Sequence, residues 1–106
     1  MSKIEIGSGN VYADLGIASA DEMLVKAQLA NKIGEIIRHR KLTQARAAEL
    51  LGIPQPKLSN MLRGQFRGIS ETKMIECLTR LGSDVEIVVR EAGTARKAGH
   101  VSVVFA

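Results

Sequence analysis

The sequence predicts a mostly α-helical protein, a bundle of four to five helices followed by one or two short C-terminal β-strands. Between residues 20 and 81, apolar residues recur at helical spacing, and glycines and prolines interrupt this pattern between segments. After Gly82 the spacing changes to the alternation typical of a strand. A length of 106 residues suits a single domain.

A long first helix is predicted from about Ala20 to about Arg40. Ser19 and Glu22 fit a capping box, in which the serine hydroxyl accepts from a free backbone N–H and the carboxylate reaches back. Basic residues close the helix, where they match the negative end of its dipole. Gly34 inside it costs about 1 kcal/mol relative to alanine. We interpret this glycine as allowing a close approach of another helix.

Two short helices of about eight residues each follow. Thr43 is a candidate N-cap for the second helix, over residues 44–51, and Gly52 fits the left-handed position after it. The third helix, over residues 55–63, begins where Pro56 can occupy the first turn without losing an N–H partner. Isolated helices this short are marginal. They must therefore pack as a pair, which is the helix-turn-helix arrangement.

A fourth helix and a β region complete the pattern. Ser70 is predicted to cap a helix over residues 71–81. Residues 84–90 then alternate as in a strand, and residues 100–106 can form a second short strand. A lone strand leaves unpaired backbone groups that invite association. The strands therefore pair either within one chain or across a two-fold axis, and we favour a homodimer.

These elements divide the chain into three parts. Residues 1–18 are irregular and are predicted to form an N-terminal arm, whose role stays open. Residues 19–82 form the predicted helix-turn-helix domain. Residues 83–106 hold the predicted strands and the expected dimerisation region.

Positive charge is concentrated in one part of the sequence. Residues 38–67 carry seven basic residues against Glu49 alone, which gives +6, whereas the whole chain carries +4. A concentrated basic patch is expected of a protein that binds a polyanion such as nucleic acid. The plainer alternative is a basic face in contact with solvent. Arg38, Arg40 and Lys41 either close the first helix or contact DNA.

Several classes of function find no support in the residues. Cys77, the single cysteine, lies in an apolar helical stripe and is predicted to be a buried small hydrophobe in a reducing compartment. His39 and His100 have no companion ligands at metal spacing and no catalytic motif around them. We found no signal region and no apolar run near the ~18 residues of a membrane span. We therefore expect a cytoplasmic protein that is not an enzyme and holds no metal or cofactor.

The exposed side of the third helix holds the candidate binding residues. Leu58, Met61 and Leu62 must enter the core. The residues left on an outward stripe, at spacing i, i+3, i+4 and i+7, are Pro56, Ser59, Asn60 and Arg63. Short polar side chains beside cations can offer donors and acceptors to base edges in a major groove. A helix built only for stability would not place Ser59 next to Asn60, since both are poor helix formers.

The same residues resemble a known family. The order Gln44, Ala48, Gly52, Ile53, Leu58 and Met61 is similar to the helix-turn-helix of the phage-repressor-like (Xre) regulators, whose fold is lambda-repressor-like. The stretches "VYADLG", "ADEMLVKAQLA", "LTQARAAELLGIPQPKLSNMLRG" and "LGSDVEIVVR" further resemble the HigA-like antitoxins of toxin–antitoxin operons. The resemblance covers roughly residues 11–90. It implies a DNA-binding transcription regulator that represses its own operon as a homodimer and binds a toxin protein.

The resemblance also implies roles for individual residues. The implied base contacts are Gln55, Lys57, Ser59, Asn60 and Arg63. For Lys57 and Arg63 the resemblance leaves open whether the contact is to a guanine or to a phosphate. The implied DNA backbone contacts are Thr43, Gln44, Arg46 and Arg67. Gln44 would also buttress Gln55. Pro56 stands where the family often has a small polar residue, so one contact is missing or apolar in this chain.

Alternative hypotheses remain open at this point. The protein is a sequence-specific antitoxin-type autorepressor, a stand-alone Xre-type repressor without a toxin partner, or a protein-interaction module with incidental basic charge. A non-specific nucleic-acid binder is a further, weaker alternative. A dimer of this fold would bind half-sites ~34–36 Å apart, which predicts a palindromic operator.

Overall fold

The computed structural model describes residues 20–91, 93 and 99–106, and four α-helices occur in these described parts. The helices are α1 (Ala20–His39), α2 (Gln44–Leu51), α3 (Gln55–Leu62) and α4 (Glu71–Arg80). Each agrees within a residue or two with a helix predicted from the sequence. The predicted N-terminal arm, residues 1–18, and Ser19 of the predicted capping box lie outside the described residues.

Residues Lys26–Val85 form one compact unit, which holds most of α1 and all of α2, α3 and α4. Its core is largely aliphatic, with Phe66 as the aromatic member among the described residues. The largest fully buried side chains are Ile33, Leu51, Leu58, Met61, Met74 and Cys77. Burial of one such side chain contributes roughly 1.5–3 kcal/mol to folding. Within this unit α2 packs against both α3 and α4.

Cys77 has the role that the sequence predicted. Its side chain is buried in α4. Burial raises the pKa of the Cys77 thiol above its usual value, because the thiolate would lose its hydration. The residue is therefore a small apolar member of the core.

Local hydrogen bonds fix the turn between α2 and α3. The Thr43 hydroxyl accepts from the Arg46 N–H at 3.1 Å, which confirms Thr43 as the N-cap. Gly52 ends α2 in the left-handed region, with φ 68° and ψ 31°. The following N–H, of Ile53, donates to the Ala48 carbonyl at 3.1 Å. These bonds set the direction in which the chain enters α3.

We expect Gly52→Ala to destabilise the protein by about 1–2 kcal/mol, because an L-residue with a side chain is strained at this φ. A fall in the urea midpoint with an unchanged slope would show this effect. Gly68→Ala is the matched control, since a Cβ at Gly68 meets open space and its φ is not positive. Equal midpoints for the two variants would contradict the expectation.

Gly34 lies where α1 meets the end of α3. A Cβ on Gly34 would lie 3.3 Å from Leu62 Cδ2 and 3.3 Å from Arg38 Nη1, closer than most such contacts. The glycine therefore allows the close helix–helix approach that the sequence predicted.

The predicted C-terminal strands are not confirmed. Residues 84–91 and 99–106 have no regular secondary structure. A strand exists only through hydrogen bonds to a neighbouring strand. The described residues of the single chain do not supply that pairing, so the hairpin between the two segments is not seen. Pairing with a second copy of the chain stays a prediction.

Candidate nucleic-acid interface

Helix α3 has one face in the core and one face outside. Leu58 and Met61 are 0% and 1% exposed, so they anchor the helix to the body of the protein. Ser59 and Asn60 are half-buried, and Arg63 is exposed. The sequence-predicted stripe therefore lies on the outer side of α3, as expected.

The leading end of α3 carries the other candidate base contacts. Gln55, Pro56 and Lys57 are all exposed. Pro54 precedes them with φ −62° and ψ 143°, an extended conformation that turns the chain into the helix. The sequence resemblance implied that Gln44 buttresses Gln55. In the described part of the chain no hydrogen bond joins these two side chains.

Three of the candidate residues are joined by hydrogen bonds. Arg63 Nη1 donates to Ser59 Oγ at 2.9 Å, and Arg63 Nη2 donates to Asn60 Oδ1 at 2.5 Å. Arg63 lies four residues after Ser59 and three after Asn60, which places all three on the same side of α3. Sequence reasoning placed these residues on one stripe but did not foresee the bonds among them.

The candidate DNA backbone contacts lie at the start of α2 and in the loop after α3. Thr43, Gln44, Arg46 and Arg67 are all exposed. Arg46 forms an exposed ion pair with Glu49, with 2.8 Å between Nη1 and Oε1. Exposed pairs of this kind contribute little to stability. The Arg46 guanidinium is therefore available to exchange this partner for a phosphate.

Lys26 is a residue that the sequence analysis missed. It is 4% exposed, and its Nζ donates to the Arg67 carbonyl at 3.3 Å, across 41 residues of sequence. The bond ties α1 to the loop that carries the Arg67 side chain. A signal existed, since Lys26 precedes Ala30, Ile33 and Ile37 at the spacing of the inward stripe. Lysine is almost never fully buried unless paired, which makes such a signal easy to discount.

We expect Lys26→Met to lower the free energy of unfolding by about 1–3 kcal/mol, because the Arg67 carbonyl loses a charged donor in a partly buried hydrogen bond. Urea denaturation measures this change. Lys32→Met is the matched control on the same helix, since Lys32 pairs at the surface with the exposed Glu35. If Lys32→Met lowers the free energy of unfolding as much as Lys26→Met does, the hydrogen bond from Lys26 to the Arg67 carbonyl is not the cause.

The other basic residues near α1 differ in their surroundings. Arg40 Nη1 donates to the Leu81 carbonyl at 3.1 Å, close to the end of α4. This bond gives Arg40 a structural role that joins α1 to α4. Arg38 and Lys41 are exposed, and Lys41 adopts a positive φ of 58° in the turn before α2.

No group of three or more histidine, cysteine, aspartate or glutamate side chains suited to a metal ion occurs in residues 20–91, 93 and 99–106. Among the helices described, none has the length and apolar character needed to cross a bilayer.

The fold and the exposed face of α3 define a helix-turn-helix DNA-binding protein of the transcription-regulator class. Two short helices joined by a tight turn present the second helix with its apolar side buried and its polar, cationic side outside. The basic stretch of residues 38–67 includes both of these helices and the turn between them.

Comparison with known proteins agrees with this class. A family model described as a helix-turn-helix domain matches residues 11–90. A solved structure named as a putative XRE family transcriptional regulator is 39% identical, with a TM-score of 0.77 over 83% of this chain and 99% of that chain. Among curated proteins no significant match was found. The chain belongs to this helix-turn-helix family, as the sequence resemblance predicted, whereas its place among the HigA-like antitoxins stays a prediction.

Proposed function

We propose that the protein is a sequence-specific repressor that binds a palindromic operator as a homodimer, with α3 in the major groove. The observation that carries this proposal is the division of α3 into two faces. Leu58 and Met61 are buried and hold α3 against the body of the protein. Ser59, Asn60 and Arg63 lie on its outer side. Short polar side chains let the helix backbone come close to base edges.

The proposed contacts fall into two groups. Residues of α3 and its leading end would contact bases, and the exposed groups around them would contact phosphates. Phosphate contacts position the protein and make binding salt-dependent, but they carry no sequence information. Arg67 belongs to this second group, since it lies in the loop after α3 and its backbone is held by Lys26.

The homodimer is supported by the apolar surface of the C-terminal segment. Ile87 and Val89 are 77% and 90% exposed, and Val88, Val101 and Val104 are also exposed. Contiguous exposed apolar side chains mark interaction sites. A second copy of the chain is the occupant that we propose, since two identical strand-forming segments can pair across a two-fold axis. The same axis would relate two α3 helices to two half-sites.

Titration of the purified protein against its own upstream DNA and a scrambled duplex, at two salt concentrations, tests the proposal. Preference for the upstream DNA that persists at the higher salt concentration supports a sequence-specific repressor. Equal affinity for both duplexes would indicate a non-specific binder. Binding to neither would favour the protein-interaction module.

Replacement of Asn60 and of Arg67 should have different effects on DNA binding. Asn60→Ala should cost about 1–3 kcal/mol and relax specificity at one base position. Arg67→Ala should weaken binding to all sequences alike and reduce the salt slope by about one. Operator affinity measured against substituted duplexes separates the two effects. Operator binding that is untouched by Asn60→Ala would contradict the assignment of the α3 face.

We also propose the antitoxin role, in which the regulator represses an operon shared with a toxin protein that it binds. This proposal is supported by the resemblance of the stretches quoted above. A short adjacent reading frame whose product arrests growth alone, and is neutralised when this chain is co-expressed, would support it. The absence of such a frame would favour the stand-alone repressor.

A further inference from the structure

Arg63 fixes the hydrogen-bonding character of its two neighbours on α3. A guanidinium has N–H groups and no acceptor, so every polar atom that it bonds must accept. Nη1 bonds Ser59 Oγ at 2.9 Å and Nη2 bonds Asn60 Oδ1 at 2.5 Å. The Ser59 hydroxyl, which accepts from Arg63, keeps its own O–H to donate. The Asn60 amide turns its oxygen to the guanidinium and its NH₂ group away.

Backbone hydrogen bonds also hold Arg63 in place. Its backbone N–H donates to the carbonyls of Ser59 and Asn60, at 3.2 and 3.1 Å, at the end of α3. No carboxylate of the described residues pairs with its guanidinium, so the two side-chain acceptors do not compete with an ion pair. Hydrogen bonds from a charged donor are about twice as strong as neutral ones. Three of the five N–H groups of the guanidinium remain for a ligand.

We propose that Arg63 is a positioning residue that holds the Asn60 amide with its oxygen bonded and its NH₂ group free, and that Asn60 thereby selects guanine over adenine at the base that it contacts. The inference rests on the proposed function. A freely rotating asparagine can pair with adenine by accepting from N6 and donating to N7. The bond from Arg63 engages that oxygen and leaves the NH₂ group free. The free NH₂ group then matches guanine, whose N7 and O6 are both acceptors, whereas adenine presents a donor at N6 beside its N7 acceptor.

The first part of the test measures base preference in the unmodified protein. Duplexes are selected from a random pool, and the Asn60 position is defined as the base pair whose preference disappears in Asn60→Ala. We expect guanine there, preferred over adenine by about tenfold. Replacement of that guanine by 7-deazaguanine, which lacks the N7 acceptor, should weaken binding.

The second part isolates the positioning role. Arg63→Met removes the guanidinium and should bring the guanine-to-adenine ratio at the Asn60 position close to one. Arg67→Met is the matched control, because it also removes one positive charge from an exposed arginine near α3. It should weaken binding to all duplexes and leave the ratio unchanged. Thermal unfolding of both variants verifies that each remains folded.

The outcomes are distinct. A preference for adenine at the Asn60 position, or a guanine preference that survives Arg63→Met, overturns the inference and leaves the proposed function intact. Failure to select any sequence over a scrambled duplex overturns the proposed function and the inference with it. Loss of the guanine preference in Arg63→Met but not in Arg67→Met supports the inference.

Discussion

Leu58→Ala is expected to lower the free energy of unfolding by about 2–5 kcal/mol. Leu58 is fully buried, so its removal leaves a cavity between α3 and the rest of the helical unit. Small domains of this kind have a total stability of only about 5–15 kcal/mol. The variant should therefore unfold at a much lower urea concentration. DNA binding should fail as the population of folded protein falls.

Ser59→Ala is the matched control on the next residue of the same helix. Ser59 lies on the outer face and bonds only Arg63 among the described side chains. We expect its stability to stay within about 0.5 kcal/mol of the original protein. Its operator binding should nevertheless weaken. The reverse result, a stable Leu58→Ala variant and an unfolded Ser59→Ala variant, would mean that the two faces of α3 have been assigned wrongly.

The double variant Ile87→Lys/Val89→Lys is expected to be monomeric and to lose about 100-fold or more in operator affinity. Two lysines place charge on the proposed strand-pairing surface, where both original side chains are exposed and apolar. A dimer gains affinity because its second recognition helix binds at a high effective concentration, typically by a factor of 10²–10⁴. Sedimentation velocity measures the oligomeric state. Affinity for a full palindrome and for one half-site measures the loss.

Glu91→Lys controls for charge in this experiment. It changes the net charge by two, as the double variant does, and removes no apolar side chain. We expect it to remain dimeric and to bind the full palindrome more tightly than a half-site. If the original protein itself is monomeric at micromolar concentration and binds both duplexes equally, the proposed dimer is wrong.

The ends of the helices could be predicted from the sequence because they are set by local chemistry. The Thr43 and Ser70 hydroxyls each accept a backbone N–H three residues ahead. Gly52 adopts the left-handed conformation that its lack of a side chain permits. None of these features depends on distant parts of the chain. The inner and outer faces of α3 could also be predicted from the sequence, since helical periodicity decides which side chains share a side.

The C-terminal segment could not be predicted in the same way. Its alternating residues have strand propensity, but a strand forms only against another strand. Residues 84–91 have no such neighbour among the described residues and no regular structure. The alternating pattern indicates that this segment can form a strand. The presence of a partner strand decides whether it does.

The sequence by itself determined the four helices, the turn before α3 and the polar character of its outer face. Only the tertiary structure decided that Lys26 is buried against the Arg67 carbonyl, that Leu62 approaches Gly34, and which atoms of Ser59 and Asn60 are occupied by Arg63. The physical reason is the separation along the chain over which each kind of interaction acts. Caps and periodicity act over three or four residues, whereas these contacts depend on how distant segments meet and on which rotamer a long side chain adopts.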